Sequence, residues 1–454
     1  MKYAPYSAYK VRAMSWLDRM PEHWDVLGIK RKYKVINGGT PSSADEEYWD
    51  GGITWLTPED LGKNSSKTIG ASRRQISREG LINCGASETP PGSIVLSTRA
   101  PIGHLAITET ESTTNQGART LVPRSGDVCV DFHYYALLAS KAVFQAAGKG
   151  TTFLELSAGQ LGIHPIPMPP LKEQQTIARF LDAKTAQIDT LVVKKRQLVD
   201  KLKEKRSALI ARTVTRGLPP EAAKAAGLEP NPEMKDSGVE WFGVIPSHWS
   251  VARLRHKCLI VDCKHKTVSF VDEGIPLASI KEVHDFEVAL GDAKMTTVEE
   301  YHELIEGGRK PHVGDLIYSR NASVGDAALV TTESTFCMGQ DVCLVRAKEQ
   351  DGRFMAYLFR SHPLKEQVES LMIGSTFRRI NVGQIKAFWI CLPPPQEQRS
   401  IAAYLDWEME KLDRLTSEVE TAITRLTEYR QALITSAVTG KIDVRNCQAE
   451  KEAA

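Results

Sequence analysis

Long apolar runs are missing from this sequence. No stretch approaches the ~20 unbroken apolar residues that a membrane-spanning helix needs, which argues against a membrane protein. The opening residues, MKYAPYSAYKVRAMSW, hold no apolar core of a secretory signal, so a cytoplasmic location is expected. An excess of either charge is missing too. Lys+Arg number 58 and Asp+Glu 56, a balance of +2, so bulk charge does not mark a nucleic-acid binder. It excludes none either, because what matters is where the charge sits.

Cysteine is sparse and scattered. The eight thiols form no CxxC pair and no dense framework, and reduced, partly buried thiols are expected. One cluster, HKCLIVDCKHK, brings His256, Cys258, Cys263 and His265 within ten residues. Its spacings of one and four do not match a zinc knuckle, and the LIV between the cysteines reads as a strand, so no metal is expected. Catalytic signatures are equally scarce. There is no phosphate-binding loop, no strand-borne GxGxxG, no Asn/Asp-Pro-Pro-aromatic run and no HExxH. No constellation carries chemistry, and a non-catalytic chain is expected.

What is present is a repeat. The 454 residues, 42% hydrophobic, have material for two to four domains. Trp16, Pro21, His23, Trp24 and Val26 recur 225 residues later as Trp241, Pro246, His248, Trp249 and Val251. From Glu173 to Thr215 the chain matches itself at a constant offset of 224, with 16 of 43 positions identical. Between these flanks GSIVLSTRAPIG (Gly92 to Gly103) parallels GDLIYSRNASVG (Gly314 to Gly325), and GTTFLELSAGQL (Gly150 to Leu161) parallels GSTFRRINVGQI (Gly374 to Ile385). Two copies of one unit follow, each a globular part and a long helix, with the intervening residues far more divergent than the shared blocks.

The helices are expected at 170–216 and 394–440, each opened by prolines and free of Gly and Pro inside. Apolar positions alternate by four and three, which predicts a coiled-coil seam. On the first helix it includes Ile177, Leu181, Ile188, Leu191, Leu198, Leu202 and Leu209, with lysines at 184, 195 and 205. On the second it includes Ile401, Leu405, Leu412, Leu415, Leu426, Tyr429 and Leu433. Residues 184–216 hold ten basic and three acidic side chains, +7, against four and six, -2, in 408–440. That contrast favours pairing the two helices with each other, and an antiparallel pair is expected, because the Pro- and Gly-rich link 217–240 can reverse the chain. The basic face has two readings, DNA phosphates or the acidic helix and a partner; the second is favoured. The fold class expected is α+β, with globular parts at 1–169 and 241–393 and a tail at 441–454. His23 and His248 are expected to cap or pack. Glu173/Glu397 and Asp182/Asp406 lie in the helix openings, where they serve the helix start or a protein partner.

The order of these blocks, doubled at a fixed offset, resembles the specificity subunit of type I restriction–modification systems over essentially the whole chain. The carrying motifs are IPMPPLKEQQTIARFLD and ICLPPPQEQRSIAAYLD, PEHW and PSHW, the two Gly-bounded loops, and TTNQG (Thr113 to Gly117). TTNQG has only a blurred counterpart, CMGQD (Cys337 to Asp341), so an equivalent role for the two loops does not follow from the sequence. The resemblance implies two target recognition domains reading the halves of a split double-stranded DNA site, with the helices as antiparallel spacer. It implies docking of two modification subunits that use S-adenosylmethionine and two restriction subunits that use ATP and Mg, with no cofactor or metal on this chain. In that role the helix openings, Glu173, Gln174, Ile177 and Leu181 with Glu397, Gln398, Ile401 and Leu405, face partner subunits.

Reading bases takes Arg, Lys, Asn, Gln and Ser/Thr at groove edges. The first domain offers Lys63, Asn64, Lys67, Arg73, Arg74 and Arg78, then Thr98 and Arg99, then Asn115, Gln116 and Arg119. The second offers Lys264, His265, Lys266, Arg309, Lys310 and His312, then Arg320, Asn321 and Ser323, then Arg378 and Arg379. Arg99, Arg320 and Asn321 stand out because their loops recur. Phosphate contacts should outnumber base contacts among them. A coiled-coil adaptor that reads no DNA, and a stand-alone enzyme, are the rival classes.

Overall fold

The structure is a computed structural model that describes residues 3–11, 16–148, 155–372 and 379–447. The chain folds as two compact units, residues 1–195 with 421–454 (unit 1) and residues 196–420 (unit 2). The borders fall inside the two long helices rather than at their starts.

Those helices span Leu171–Arg216 and Pro395–Val438. Prolines at 169–170 and 393–395 confine each start, since a proline ring fits only the first turn. Gly217 and Gly440, at φ 82° and 70°, stop the helices in the left-handed conformation that glycine adopts without cost.

In unit 1 a five-stranded sheet is ordered Tyr33–Asn37, Ala118–Pro123, Ile94–Ser97, Leu105–Thr108, Thr68–Ile69, antiparallel except for the last pair. A three-stranded sheet sets Trp49–Leu56 between Ser112–Thr114, parallel to it, and Gln75–Ile76. Unit 2 repeats the plan. A four-stranded antiparallel sheet runs Cys258–Asp262, Val342–Ala347, Leu316–Ser319, Ala327–Leu329. Its three-stranded sheet places Ile275–Ala278 parallel to Cys337–Met338. The expected α+β class is met by mixed sheets and helices. The two globular helical stretches each break once, at Ser140 and Ser361.

Each core is centred on the repeated tryptophan. Trp24 (0% exposed) lies in unit 1 among Tyr6, Phe132, Ile177 and Leu181, joined by Leu433, Ile434 and Val438 from the second long helix. Trp249 (1%) lies in unit 2 with Phe354, Ile401 and Leu405, joined by Ile210 and Val214 from the first. A large ring whose N–H has a partner suits this place, and the partner is a buried carboxylate. Glu173 accepts from Trp24 Nε1 (3.1 Å), Tyr6 OH (2.7 Å) and His23 Nε2 (2.9 Å). Glu397 accepts from Trp249 Nε1 (3.1 Å) and His248 Nε2 (2.8 Å). The repeated histidines therefore pack, as expected, and the glutamates serve their own unit.

Two expectations are corrected here. The eight helix-opening side chains assigned to partners, Glu173, Gln174, Ile177, Leu181, Glu397, Gln398, Ile401 and Leu405, are all buried. Gln174 accepts from Cys129 N–H (2.8 Å) and Gln398 from Asp351 N–H (2.9 Å), so these residues fasten each helix to its own domain. The seam also holds only in part. Leu191 and Tyr429 in unit 1, and Leu198 and Leu415 in unit 2, are 43–50% exposed. Ile188 and Leu433 in unit 1 and Leu202, Leu209 and Leu412 in unit 2 are covered as the spacing predicts, and Val192 and Arg430 in unit 1 and Val199 and Arg206 in unit 2 are covered beside them. Arg206 meets Asp413 in unit 2, and Arg430 meets Asp189 (2.9 Å) in unit 1.

Candidate nucleic-acid interface

Three stretches of chain converge in each unit. In unit 1, Thr98 and Arg99 donate their backbone N–H groups to the Gly117 carbonyl (2.8 and 3.1 Å), and the Thr98 carbonyl accepts from Leu156 N–H (2.8 Å). In unit 2, Arg320 N–H reaches the Asp341 carbonyl (2.9 Å) and Ile380 N–H the Arg320 carbonyl (2.9 Å). Isolated antiparallel bridges, Arg99 with Glu155 and Asn321 with Arg379, hold matching positions. Both outer stretches lead into short helices closed by the same capping box, Ser157 with Gln160 and Asn381 with Gln384. One backbone frame is thus built twice.

The side chains on the frame differ. In unit 1 the Glu155 carboxylate takes Arg99 Nε (3.0 Å) and Arg119 Nη2 (3.1 Å), while Arg119 also reaches Asn37. Burial draws the Arg119 guanidinium below its usual pKa, and Glu155 pulls it back only in part. In unit 2 the repeat puts Arg379 at the Glu155 position, Asn321 at that of Arg99, Cys343 at that of Arg119 and Asp262 at that of Asn37. Here the buried guanidinium is Arg320, on Asp262 (2.9 Å). Arg379 is exposed and forms no ion pair among the described residues. Unit 1 therefore presents arginines neutralised by a carboxylate, and unit 2 an exposed guanidinium beside an amide.

The other candidates divide three ways. Four are withdrawn from any groove by burial or pairing. Thr98 is fully buried, Arg119 and Arg320 are 9% and 4% exposed, and Lys67 is gripped by Asp131 (2.7 Å) and Asp182 (2.6 Å). Burial alone would lower the Lys67 pKa, yet its two carboxylates outweigh that and raise it. These cations have their counter-charge inside the domain.

A second group is at the surface but engaged. Lys63 and Arg73 share Glu59, Arg78 holds Glu88, and Arg74 lies 3.6 Å over the Trp49 ring. Lys264 and Lys266 pair with Glu306 and Glu303. Arg309 donates to the carbonyls of Asp262 (2.8 Å) and Glu306 (2.7 Å), and His312 contacts Arg346 (2.7 Å). Asn64 closes its own turn on Ser66 and Thr68, and Asn115 accepts from Gly117 N–H (2.9 Å). Exposed pairs of this kind open at little cost and leave the cation free for a phosphate.

The third group is open on the frame or beside it: Lys310, Ser323 and Arg379; Gln116 is exposed and accepts from the Thr40 hydroxyl. Arg378 lies outside the described residues. The sequence reading missed Glu155, the hub of unit 1. Its signal was present in the charge reversal at offset 224, where Glu155 stands opposite Arg379.

The cysteine–histidine cluster does not assemble as spaced. Cys258 is buried in its strand and His256 is exposed. Asp262, Cys263 and His265 do come together, with donor atoms within 4.8 Å. The Arg320 guanidinium already sits on them, 2.9 Å from Asp262 and 3.3 Å from the Cys263 sulfur, so the donors have their cation. No helix among the described residues is long and apolar enough to cross a membrane.

Comparison with known proteins agrees with this picture. The family model for the type I restriction modification DNA specificity domain matches residues 21–200 and 271–425. The MjaIX specificity subunit of Methanocaldococcus jannaschii is 27% identical over 444 residues, 94% of this chain and 95% of that protein. The EcoR124I/EcoR124II specificity subunit of Escherichia coli is 28% identical over 190 residues, 40% of this chain and 45% of that one. The fold is shared with a chain solved for complex assembly and conformational transition of the type I R-M system (TM-score 0.71, 15% identity, 92% of this chain and 98% of that one). It is shared as well with the HsdS subunit from Thermoanaerobacter tengcongensis (TM-score 0.52, 15% identity, 93% and 98%). The chain belongs to the type I restriction–modification specificity subunits, the non-catalytic, DNA-recognising members of these systems.

Proposed function

We propose that this chain reads a bipartite, asymmetric double-stranded DNA site, one half with each unit, inside a cytoplasmic methylation and restriction complex. The observation that carries this is the frame built twice with different side chains upon it. Identical surfaces would read a palindrome; Glu155 with two arginines against Arg379 with Asn321 suits two unlike half-sites.

The two long helices pair antiparallel in this reading and form the spacer between half-sites. Asp189 to Arg206 is a step of 17 residues up one helix, and Arg430 to Asp413, their partners, the same step down the other. Charge pairs that repeat in opposite directions are what an antiparallel pair requires.

Two modification and two restriction subunits dock on this chain, and the exposed side of the helices supports it. Leu191, Val193 and Tyr429 in unit 1, and Leu198, Leu415 and Trp407 in unit 2, leave apolar surface in water beside lysines such as Lys194 and Lys201. S-adenosylmethionine, ATP and Mg belong to those partners, and no membrane takes part. The test is to exchange the unit 1 frame, residues 94–119 and 155–163, for that of a relative and sequence the methylated motif. One half-site changes and the other stays if the reading is right; a motif changed in both halves, or in neither, would overturn it.

A further inference from the structure

A second repeated feature lies away from the reading frame. In unit 1 the one-turn helix Ile29–Lys32 leads into the strand Tyr33–Asn37, whose far end touches Arg119. In unit 2 the one-turn helix Leu254–Lys257 leads into Cys258–Asp262, whose far end holds Arg320. The neighbouring strand in each unit closes on the turn through one backbone bond, Arg124 N–H to the Lys32 carbonyl (2.9 Å) and Lys348 N–H to the Lys257 carbonyl (3.3 Å). The side chains so gathered carry cations in both copies, Lys30, Arg31 and Arg124 in unit 1 and Arg255 and Lys348 in unit 2, where His256 accepts from Arg255 Nε (3.3 Å). All six are exposed, and no carboxylate among the described residues lies within ion-pair distance of any of them.

We propose that these two basic turns are sequence-independent clamps on the DNA phosphate backbone, one beside each half-site. This rests on the bipartite reading above. Side chains that read bases must differ between unlike half-sites, and those on the frame do. Phosphates are the same in both, so a cationic surface that contacts them can be the same in both units. The placement fits as well. A five-residue strand puts each turn about 15 Å from its frame, which is four to five phosphates along one strand at about 3.4 Å each. Most basic residues near the frame have an internal carboxylate; these have none, so DNA requires no pair to be broken.

The test is the salt dependence of binding by the full chain in complex with its methyltransferase partner. The probes are a fluorescent 40-bp duplex carrying the methylated motif and a scrambled duplex of the same length. Each phosphate contact contributes about 0.9 to the slope of log affinity against log salt. Lys30→Ala with Arg31→Ala and Arg124→Ala should lower that slope by roughly two to three and weaken both probes by the same factor, leaving their ratio intact. Arg255→Ala with Lys348→Ala should lower the slope by roughly two and likewise leave the ratio intact, and Lys30→Arg with Arg31→Lys and Arg124→Lys should keep the wild-type slope. An unchanged slope, with the wild type still preferring its motif, overturns the clamps and leaves the bipartite reading standing. Loss of the methyltransferase partner on gel filtration would make the turns a protein-docking surface and overturn the clamps too. A wild type that does not distinguish the two probes would instead defeat the bipartite reading.

Discussion

Trp24 donates its indole N–H to Glu173 at 3.1 Å, and the same bond joins Trp249 to Glu397 at 3.1 Å in the second unit. In each unit one buried carboxylate at the start of a long helix thereby gathers the side chains of the repeated His-Trp block, 23–24 in unit 1 and 248–249 in unit 2. Glu173→Gln keeps the shape but replaces one acceptor oxygen with a donor. It should destabilise unit 1 by about 1–3 kcal/mol, and Glu397→Gln should do the same to unit 2. Amide hydrogen exchange on the complex checks this: protection should fall in the unit that carries the substitution. Unchanged protection with lost partner binding would restore these glutamates to the docking role.

Lys67 is a structural cation. Held by Asp131 and Asp182 and lying 5.6 Å from the Tyr135 ring, it ties the strand region of unit 1 to the first long helix. Lys67→Met should cost about 0.5–1 kcal/mol, because the two carboxylates it leaves are reached by water, while the methylated motif stays the same. Thermal unfolding together with methylation sequencing of the variant checks both halves of this statement.

Arg379 is exposed, with no ion pair among the described residues, at the position that Glu155 fills in unit 1. Arg379→Ala should weaken binding to the cognate site by about 1–3 kcal/mol if it meets a base bidentately, or reduce binding equally for all sequences if it meets a phosphate. Arg99→Ala should have the smaller effect, because Arg99 must first leave Glu155. Fluorescence anisotropy on cognate and scrambled duplexes separates these outcomes.

Acid should attack the units unequally. Burial lowers the pKa of His133 and of His164 to about 4, against an ordinary 6.5. The unfolded chain takes up these protons first, so their contribution is intact above about pH 6.5 and is lost as pH falls toward 4. Each is worth about 3 kcal/mol over that window. Unit 2 has Tyr357 and Phe388 at the matching positions and has no such loss. His164→Phe, which copies unit 2, should move the acid unfolding of unit 1 to lower pH, as followed by hydrogen exchange between pH 7 and 4.

Much of this architecture was legible because the chain repeats itself. The long helices, the strands in the Gly-bounded loops and the packing role of His23 and His248 all followed from motifs matched at offsets of 224 and 225. The seam followed only in part. Two stripes with the same four-three spacing run along each helix, and apolarity alone chose Leu191 and Leu198 over Val192 and Val199. The side that is covered also places Arg206 and Arg430 on their aspartates, which a hydrophobic template counts as mismatches. The candidate site was half legible. Residue type marks Lys67, Arg119 and Arg320 as DNA contacts, but their carboxylates come from segments 36 to 115 residues away, and only the fold brings them together.

The central claim is that this chain chooses a split DNA site for adenine methylation. Genome-wide adenine-methylation sequencing, in cells making the partner subunits with and without this chain, tests it most directly. The account predicts that one motif, two unlike half-sites separated by a fixed unspecific gap, is methylated only when the chain is present. A methylation pattern identical in the two cells would contradict it.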